Sequence, residues 1–193
     1  MQLVFASNNP NKIKEIQLLV PKNIQIIGLQ EIGCTEEIEE TANSIEGNAI
    51  LKADYIYKKY GYNCFADDSG LEVDYLNGKP GVHSARYAGL QRKDSDNIAK
   101  ILRDLQNQTN RKANFKTVIA LNYKSEQFLF TGIINGTITD KRIGTNGFGY
   151  DPIFRPENGE KTFAEMDKYQ KAAISHRGIA VRQLIEHLNQ IQK

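Results

Sequence analysis

Tryptophan is absent from this 193-residue chain, and cysteine, methionine and histidine occur only two, two and three times. Cys34 and Cys64 are too few for a disulfide framework and match no zinc-ligand spacing. Charge of one sign is also missing. Lys plus Arg is 25 against 23 Asp plus Glu, a net charge of +2. A surface built to coat nucleic acid is far more basic, so stable nucleic-acid binding is not expected. No apolar run nears the ~20 residues of a membrane span. The apolar start, Met1 to Ala6, turns polar at Ser7-Asn8-Asn9, too soon for a signal peptide. The expectation is a cytoplasmic protein with no membrane partner.

What remains is ordinary globular composition, 40% hydrophobic and 25% charged. A chain of this length can bury roughly 70% of its unfolded surface. No internal repeat or linker stands out. Leu3 to Ala6 reads as a short strand, stopped by the turn and cap cluster Ser7-Asn8-Asn9-Pro10-Asn11. Ile13, Ile16 and Val20 mark a helix that Pro21 ends, and Ile24 to Leu29 reads as a second strand. Residues 31–47 then carry Glu31, Glu36, Glu37, Glu39, Glu40 and Glu46 with no Lys or Arg.

Ser44 or Asn43 can cap the next helix, whose apolar stripe is Ile45, Ala49, Ala53, Ile56 and Tyr60, with Gly61 as its stop. Cys64 to Ala66 reads as a strand opening onto Asp67-Asp68-Ser69-Gly70, and Leu71 to Leu76 alternates toward an Asn77-Gly78 turn. A helix follows on Ile98, Ile101, Leu102 and Leu105. Phe115 to Tyr123 and Gln127 to Ile138 read as strands joined at Lys124-Ser125-Glu126. After the glycine-dense loop Gly144 to Pro152, a last helix runs from about Gly178. Alternating strands and helices give an α/β class with a mixed sheet.

Four places exceed what folding requires. At Ser7 to Lys12, small polar residues at a helix entry can leave backbone N–H groups free for a phosphate. Lys12 sits where the helix dipole disfavours a cation, unless an anion binds there. The alternative is a capped helix with an exposed lysine. Lys52 lies about 20° from Ile45 and about 40° from Ile56 on a 3.6-residue wheel, so it follows the apolar stripe. It either snorkels to water or reaches a phosphate beside the acidic segment.

Asp67-Asp68-Ser69-Gly70, at an expected strand end, suits a metal and general-base site, with an Asx turn as the alternative. Consecutive strand residues face opposite ways, so the two Asp should have different tasks. Hard oxygen ligands without a His or Cys cluster favour Mg²⁺ over Zn²⁺. Last, Phe148-Gly149-Tyr150-Asp151, Lys171 and Ser175-His176-Arg177-Gly178 offer an aromatic face, a carboxylate, cations and an imidazole. That set suits a flat heterocycle with an anionic tail.

Read in order, these segments resemble the non-canonical purine nucleoside triphosphate pyrophosphatases, the inosine triphosphate and dITP/XTP pyrophosphatase family. Ser7, Asn9 and Lys12 match its Thr/Ser-x-Asn-x-x-Lys motif. Glu40-Thr41 and Asn48-Ala49-Ile50-Leu51-Lys52-Ala53 match its next two. Ala66 to Val73, Pro80 to Tyr87, Gly147 to Phe154 and Ser175 to Gly178 complete the series. Gly47 and Ala42 depart from the usual Glu and Gly. The resemblance implies one pyrophosphatase domain over 1–193, an elongated two-lobed α/β fold with a long mixed sheet, and a cleft between the lobes. It also implies a homodimer.

The implied reaction hydrolyses ITP, dITP and XTP to the monophosphate and pyrophosphate with Mg²⁺. By the same resemblance Glu40 and Asp68 would hold the metal, and Asp68 would be the base. The segment Ser7, Asn8, Asn9, Pro10, Asn11, Lys12, together with Lys52 and Ser69, would meet the triphosphate, with Arg86 as possible support. Phe148 would stack on the base, within the loop Phe148-Gly149-Tyr150-Asp151. Asp151, Lys171, His176 and Arg177 would read its edge.

Overall fold

The structure is a computed structural model that describes residues 1–191. Strands β1 (Gln2–Phe5), β2 (Gln25–Ile27), β3 (Cys64–Val73), β4 (Lys112–Tyr123), β5 (Glu126–Ile138) and β6 (Phe154–Pro156) form one six-stranded sheet. Its order is β2-β1-β3-β4-β5-β6. β1 runs parallel to β2 and β3, whereas β5 and β6 are antiparallel, so the sheet is mixed as expected. The helices are α1 (Pro10–Leu19), α2 (Ile45–Tyr60), α3 (Asp94–Asp104), α4 (Lys168–Ile174) and α5 (His176–Ile191). Among the described residues, no helix is long and apolar enough to cross a membrane.

Local chemistry explains the elements that matter. Asn9 caps α1 by accepting from the backbone N–H groups of Asn11 and Lys12, and Pro10 takes the first helical position. Ser44 caps α2 through the N–H of Gly47. Gly61 ends α2 at φ 73°, a left-handed conformation that an L side chain resists. Lys58 and Lys59 sit in the last turn of α2, where the helix dipole favours cations.

The chain forms two compact units. The first comprises Met1–Asp68, Thr117–Gly132 and the stretch from Arg177 onward; the second comprises Ser69–Lys116 and Ile133–His176. The first unit buries Leu3, Phe5, Ile16, Phe65, Ile119, Leu121, Val181 and Leu184 together, with Phe5 and Phe65 stacked at 4.8 Å. The second buries Leu71, Val73, Ile98, Ile101, Phe115, Phe154 and Phe163. Each such side chain contributes roughly 1.5–3 kcal/mol on burial.

Two expectations are corrected. Asp67-Asp68-Ser69-Gly70 is not a turn at a strand end, because β3 continues through it to Val73. Burial on both faces keeps that strand going, with Asp67 and Asp68 inside the sheet. The last helix also starts at His176, two residues before Gly178.

Candidate active site

In the first unit, β3, α1, α2 and the start of α5 bring charged groups together. Asp67 is fully buried. Its Oδ1 accepts from Lys12 Nζ at 3.0 Å, and its Oδ2 from Arg177 Nε at 2.9 Å. Its backbone carbonyl accepts from Lys52 Nζ at 2.8 Å. Burial pushes the Asp67 carboxyl upward, but Lys12, Arg177 and Lys52 overcome it and hold the group well below the usual carboxylate range. Arg177, also buried, donates through its second arm to Glu15 on α1. Burial lowers the Lys12 pKa, Asp67 opposes that, and the charges of Lys52 and Arg177 add to it.

Asp68, the next residue on β3, belongs to a different set. Its Oδ2 accepts from Asn48 Nδ2 of α2 at 3.2 Å. Asn48 Oδ1 in turn accepts the backbone N–H of Ala42 in the acidic loop. One turn along α2, Lys52 donates to Glu40 Oε1 at 2.5 Å. Burial depresses the Lys52 pKa, but the charges of Asp68, Glu40 and Asp67 more than reverse it, so the ammonium is favoured. Lys52 therefore does not snorkel to water. Its partners are carboxylates and a carbonyl inside the unit.

The helix entry differs from the expected phosphate cradle. The N–H groups of Asn11 and Lys12 are taken by Asn9 Oδ1, that of Ile13 by the Asn9 carbonyl, and Pro10 has none. Capping satisfies these donors internally, and the Lys12 ammonium turns to Asp67. Ser7 accepts the Asn9 N–H through Oγ, and Asn8 and Asn11 are exposed. Sequence reasoning gave no role to Glu15 and no partner to Asn48 or Asp67. The available signal was helical spacing: Asn48 precedes Lys52 by four residues and Glu15 follows Lys12 by three, so each pair shares a face.

The second unit holds the aromatic set. Lys171 Nζ lies 2.5 Å from Asp151 Oδ2 and 4.8 Å from the centroid of the Phe148 ring. Asp151 Oδ2 also accepts the Phe148 N–H at 2.8 Å, so one carboxylate orients both the ring-bearing loop and the lysine. Gly147 has φ +74°, and a Cβ there would collide with that carboxylate, so the loop requires glycine. Gly149 donates to Asp94 Oδ2. His176 is buried and stacks on Phe115 at 4.6 Å.

Tyr150, expected to touch substrate, is instead buried in the second core and donates to the Ser84 carbonyl. Arg177, expected at the base edge, pairs with Asp67 and Glu15. Ser69 lies within β3, and Arg86 ends a short 3-10 turn over Gly81–Arg86.

Asp67→Asn should destabilise the protein by about 3–5 kcal/mol, because it leaves buried cations without their central carboxylate. Asp67 has a depressed folded pKa, so its contribution is present above the unfolded value near 3.9 and is lost as pH falls below it. Urea unfolding of both proteins between about pH 7 and 3 checks this. The wild type should lose stability faster on acidification below about pH 4 than the variant. A neutral-pH difference under about 1 kcal/mol would remove Asp67 from the electrostatic core.

Residues 3–187 match the model of the Ham1 family. The chain is 62% identical over 188 residues to a dITP/XTP pyrophosphatase of Flavobacterium johnsoniae, covering 97% of this chain and 98% of that one. A dITP/XTP pyrophosphatase of Christiangramia forsetii is 57% identical over 189 residues, covering 98% and 100%. Among solved structures, the Staphylococcus aureus Ham1 protein superposes with a TM-score of 0.90 at 43% identity, covering 98% of this chain and 99% of its own. A match over nearly the whole chain, at identities this high and with the same fold, makes this protein a member of the Ham1 family.

Proposed function

We propose that this chain is a nucleoside triphosphate pyrophosphatase that hydrolyses ITP, dITP and XTP to the monophosphate and pyrophosphate, clearing deaminated purines from the nucleotide pool. The observation that carries the proposal is Asp68, oriented by Asn48 beside the Glu40–Lys52 pair. In this reading Asp68 takes the proton from a water whose oxygen attacks the α-phosphorus. The bond from that phosphorus to the β-phosphate oxygen breaks, and pyrophosphate leaves. Lys12 and Lys52 offset the developing charge, so catalysis is positioning plus electrostatics.

The donor set fits a hard divalent ion. Glu40 and Asp68 both act on the Lys52 ammonium, and they supply carboxylate oxygens only. Among the described residues there is no group of three or more His, Cys, Asp or Glu suited to a metal. Two carboxylates with the rest of the shell from water and phosphate is the habit of Mg²⁺, not of Zn²⁺. Bound by Glu40 and Asp68, Mg²⁺ would supply charge neutralisation at the phosphate oxygens. Phe148 would stack on the purine, with Asp151, Lys171 and His176 at its edge. A cytoplasmic homodimer completes the proposal.

The test is a product assay with ITP and Mg²⁺. Inosine monophosphate and pyrophosphate are the expected products, and orthophosphate as the first product would overturn attack at the α-phosphorus. Lys12→Ala and Lys52→Ala should each lose about 1.5–3 kcal/mol of transition-state stabilisation, read from kcat/KM. Unchanged kcat/KM in the folded Lys52→Ala variant would leave that lysine with a structural task alone.

A further inference from the structure

The segment from Thr35 to Asn43 belongs to no helix or strand, yet it carries Glu40. Side chains hold it in place. Glu36 Oε1 accepts from Tyr55 Oη at 2.6 Å, Tyr60 Oη at 2.8 Å and Lys59 Nζ at 2.5 Å. Lys59 also donates to Tyr55 Oη and lies over both tyrosine rings, 5.2 and 5.6 Å from their centroids. Farther along the segment, Glu40 meets Lys52 and the Ala42 N–H meets Asn48. The helix partners Asn48, Lys52, Tyr55 and Lys59 are spaced by four, three and four residues, so they line one face of α2. The loop therefore runs along that face against the helix direction.

Pinned through Glu36 at one end and Ala42 at the other, the residues between have fewer positions open to them. The segment is also self-repelling, with Glu36, Glu37, Glu39 and Glu40 close in sequence and no Lys or Arg among them. The hydrogen bond from Lys59, joined by those from Tyr55 and Tyr60, keeps Glu36 ionised well below the usual carboxylate range.

We infer that Glu36 is a positioning residue: by fastening the acidic loop to α2 it holds the Glu40 carboxylate where the metal and triphosphate bind. The inference rests on the reading of Glu40 as a metal carboxylate. Releasing Glu36 returns conformational freedom to the loop, and each binding event must then order it again. The requirement for metal should change while the chemical step does not.

The experiment uses Glu36→Gln, which keeps the side-chain size and removes the charge, together with Tyr60→Phe, which removes a single donor. Amide hydrogen exchange of residues 35–43 is measured in the whole protein, alongside the Mg²⁺ concentration for half-maximal ITP hydrolysis. Glu36→Gln should speed exchange in 35–43 while leaving β3 unchanged. It should raise the Mg²⁺ requirement about tenfold, with kcat at saturating Mg²⁺ within about threefold of wild type. Tyr60→Phe should move both readouts the same way by a smaller factor, and it decides the matter if Glu36→Gln fails to fold. An unchanged Mg²⁺ requirement in the folded variants overturns the inference, even if the melting temperature falls. Glu40→Gln separates the two readings. If its own Mg²⁺ requirement is normal, Glu40 is no metal ligand; if it is raised while Glu36→Gln is normal, only the latch is wrong.

Discussion

Asp68→Asn is expected to lower kcat for ITP by at least about 10²-fold, the usual scale of a lost general base. Asparagine is the informative substitution because it preserves shape. The amide oxygen can turn toward Asn48 and keep the hydrogen bond now made by Oδ2 at 3.2 Å. Asn48 then still holds Ala42, and the acidic loop stays on α2. What disappears is the proton acceptor and one of the three carboxylate charges acting on Lys52. KM should change by only about threefold, since on the proposed reading Lys12 and Lys52 would still meet the phosphates, so the loss falls on kcat. Steady-state kinetics on the folded variant, at Mg²⁺ concentrations up to saturation, measures it. A kcat near wild type would sink Asp68 as the base; recovery of kcat at high Mg²⁺ would assign it to metal binding alone.

The neighbouring aspartate shows how far sequence can carry such an assignment. Alternation along a strand already separates the tasks of residues 67 and 68, and that needs only the pleat. It does not say which partner each one finds. Arg177 lies 110 positions away from Asp67 in the chain, and no local pattern encodes that pairing. The same limit hides the Arg177–Glu15 pair, 162 positions apart in the chain. Helical positions were more legible. The wheel put Lys52 on the apolar side of α2, and its burial with Glu40 follows from that geometry. The helix entry at Asn9 leaves two readings open in sequence. Cap residues that could leave donors for an anion satisfied those donors themselves. The turn-like composition of Asp67-Asp68-Ser69-Gly70 predicts a break in β3, whereas ion pairs inside the sheet override that propensity.

ATP should be turned over at least about 30-fold less efficiently than ITP, because the two bases present inverted edges. Hypoxanthine and xanthine carry a 6-oxo acceptor and an N1–H donor. Adenine carries a 6-amino donor and an N1 acceptor. The set in the second unit supplies an ammonium donor, Lys171, and a carboxylate acceptor, Asp151, within 2.5 Å of each other and beside the Phe148 ring. His176 adds a buried ring on the same unit. That pairing of donor and acceptor matches an oxo group next to an N–H, and against adenine donor meets donor and acceptor meets acceptor. Each unsatisfied buried group costs about 1–3 kcal/mol, so two inverted positions cost about 2–6 kcal/mol. That is roughly 30-fold to 10⁴-fold in kcat/KM. Guanine keeps the 6-oxo group and N1–H, so discrimination against GTP has to come from its 2-amino group, by crowding or an unmatched donor. Measuring kcat/KM for ITP, XTP, GTP and ATP with Mg²⁺ tests both steps. ATP within about threefold of ITP would refute edge reading by Lys171 and Asp151. GTP equal to ITP, with ATP rejected, would keep the edge reading and remove any selection at the 2-position.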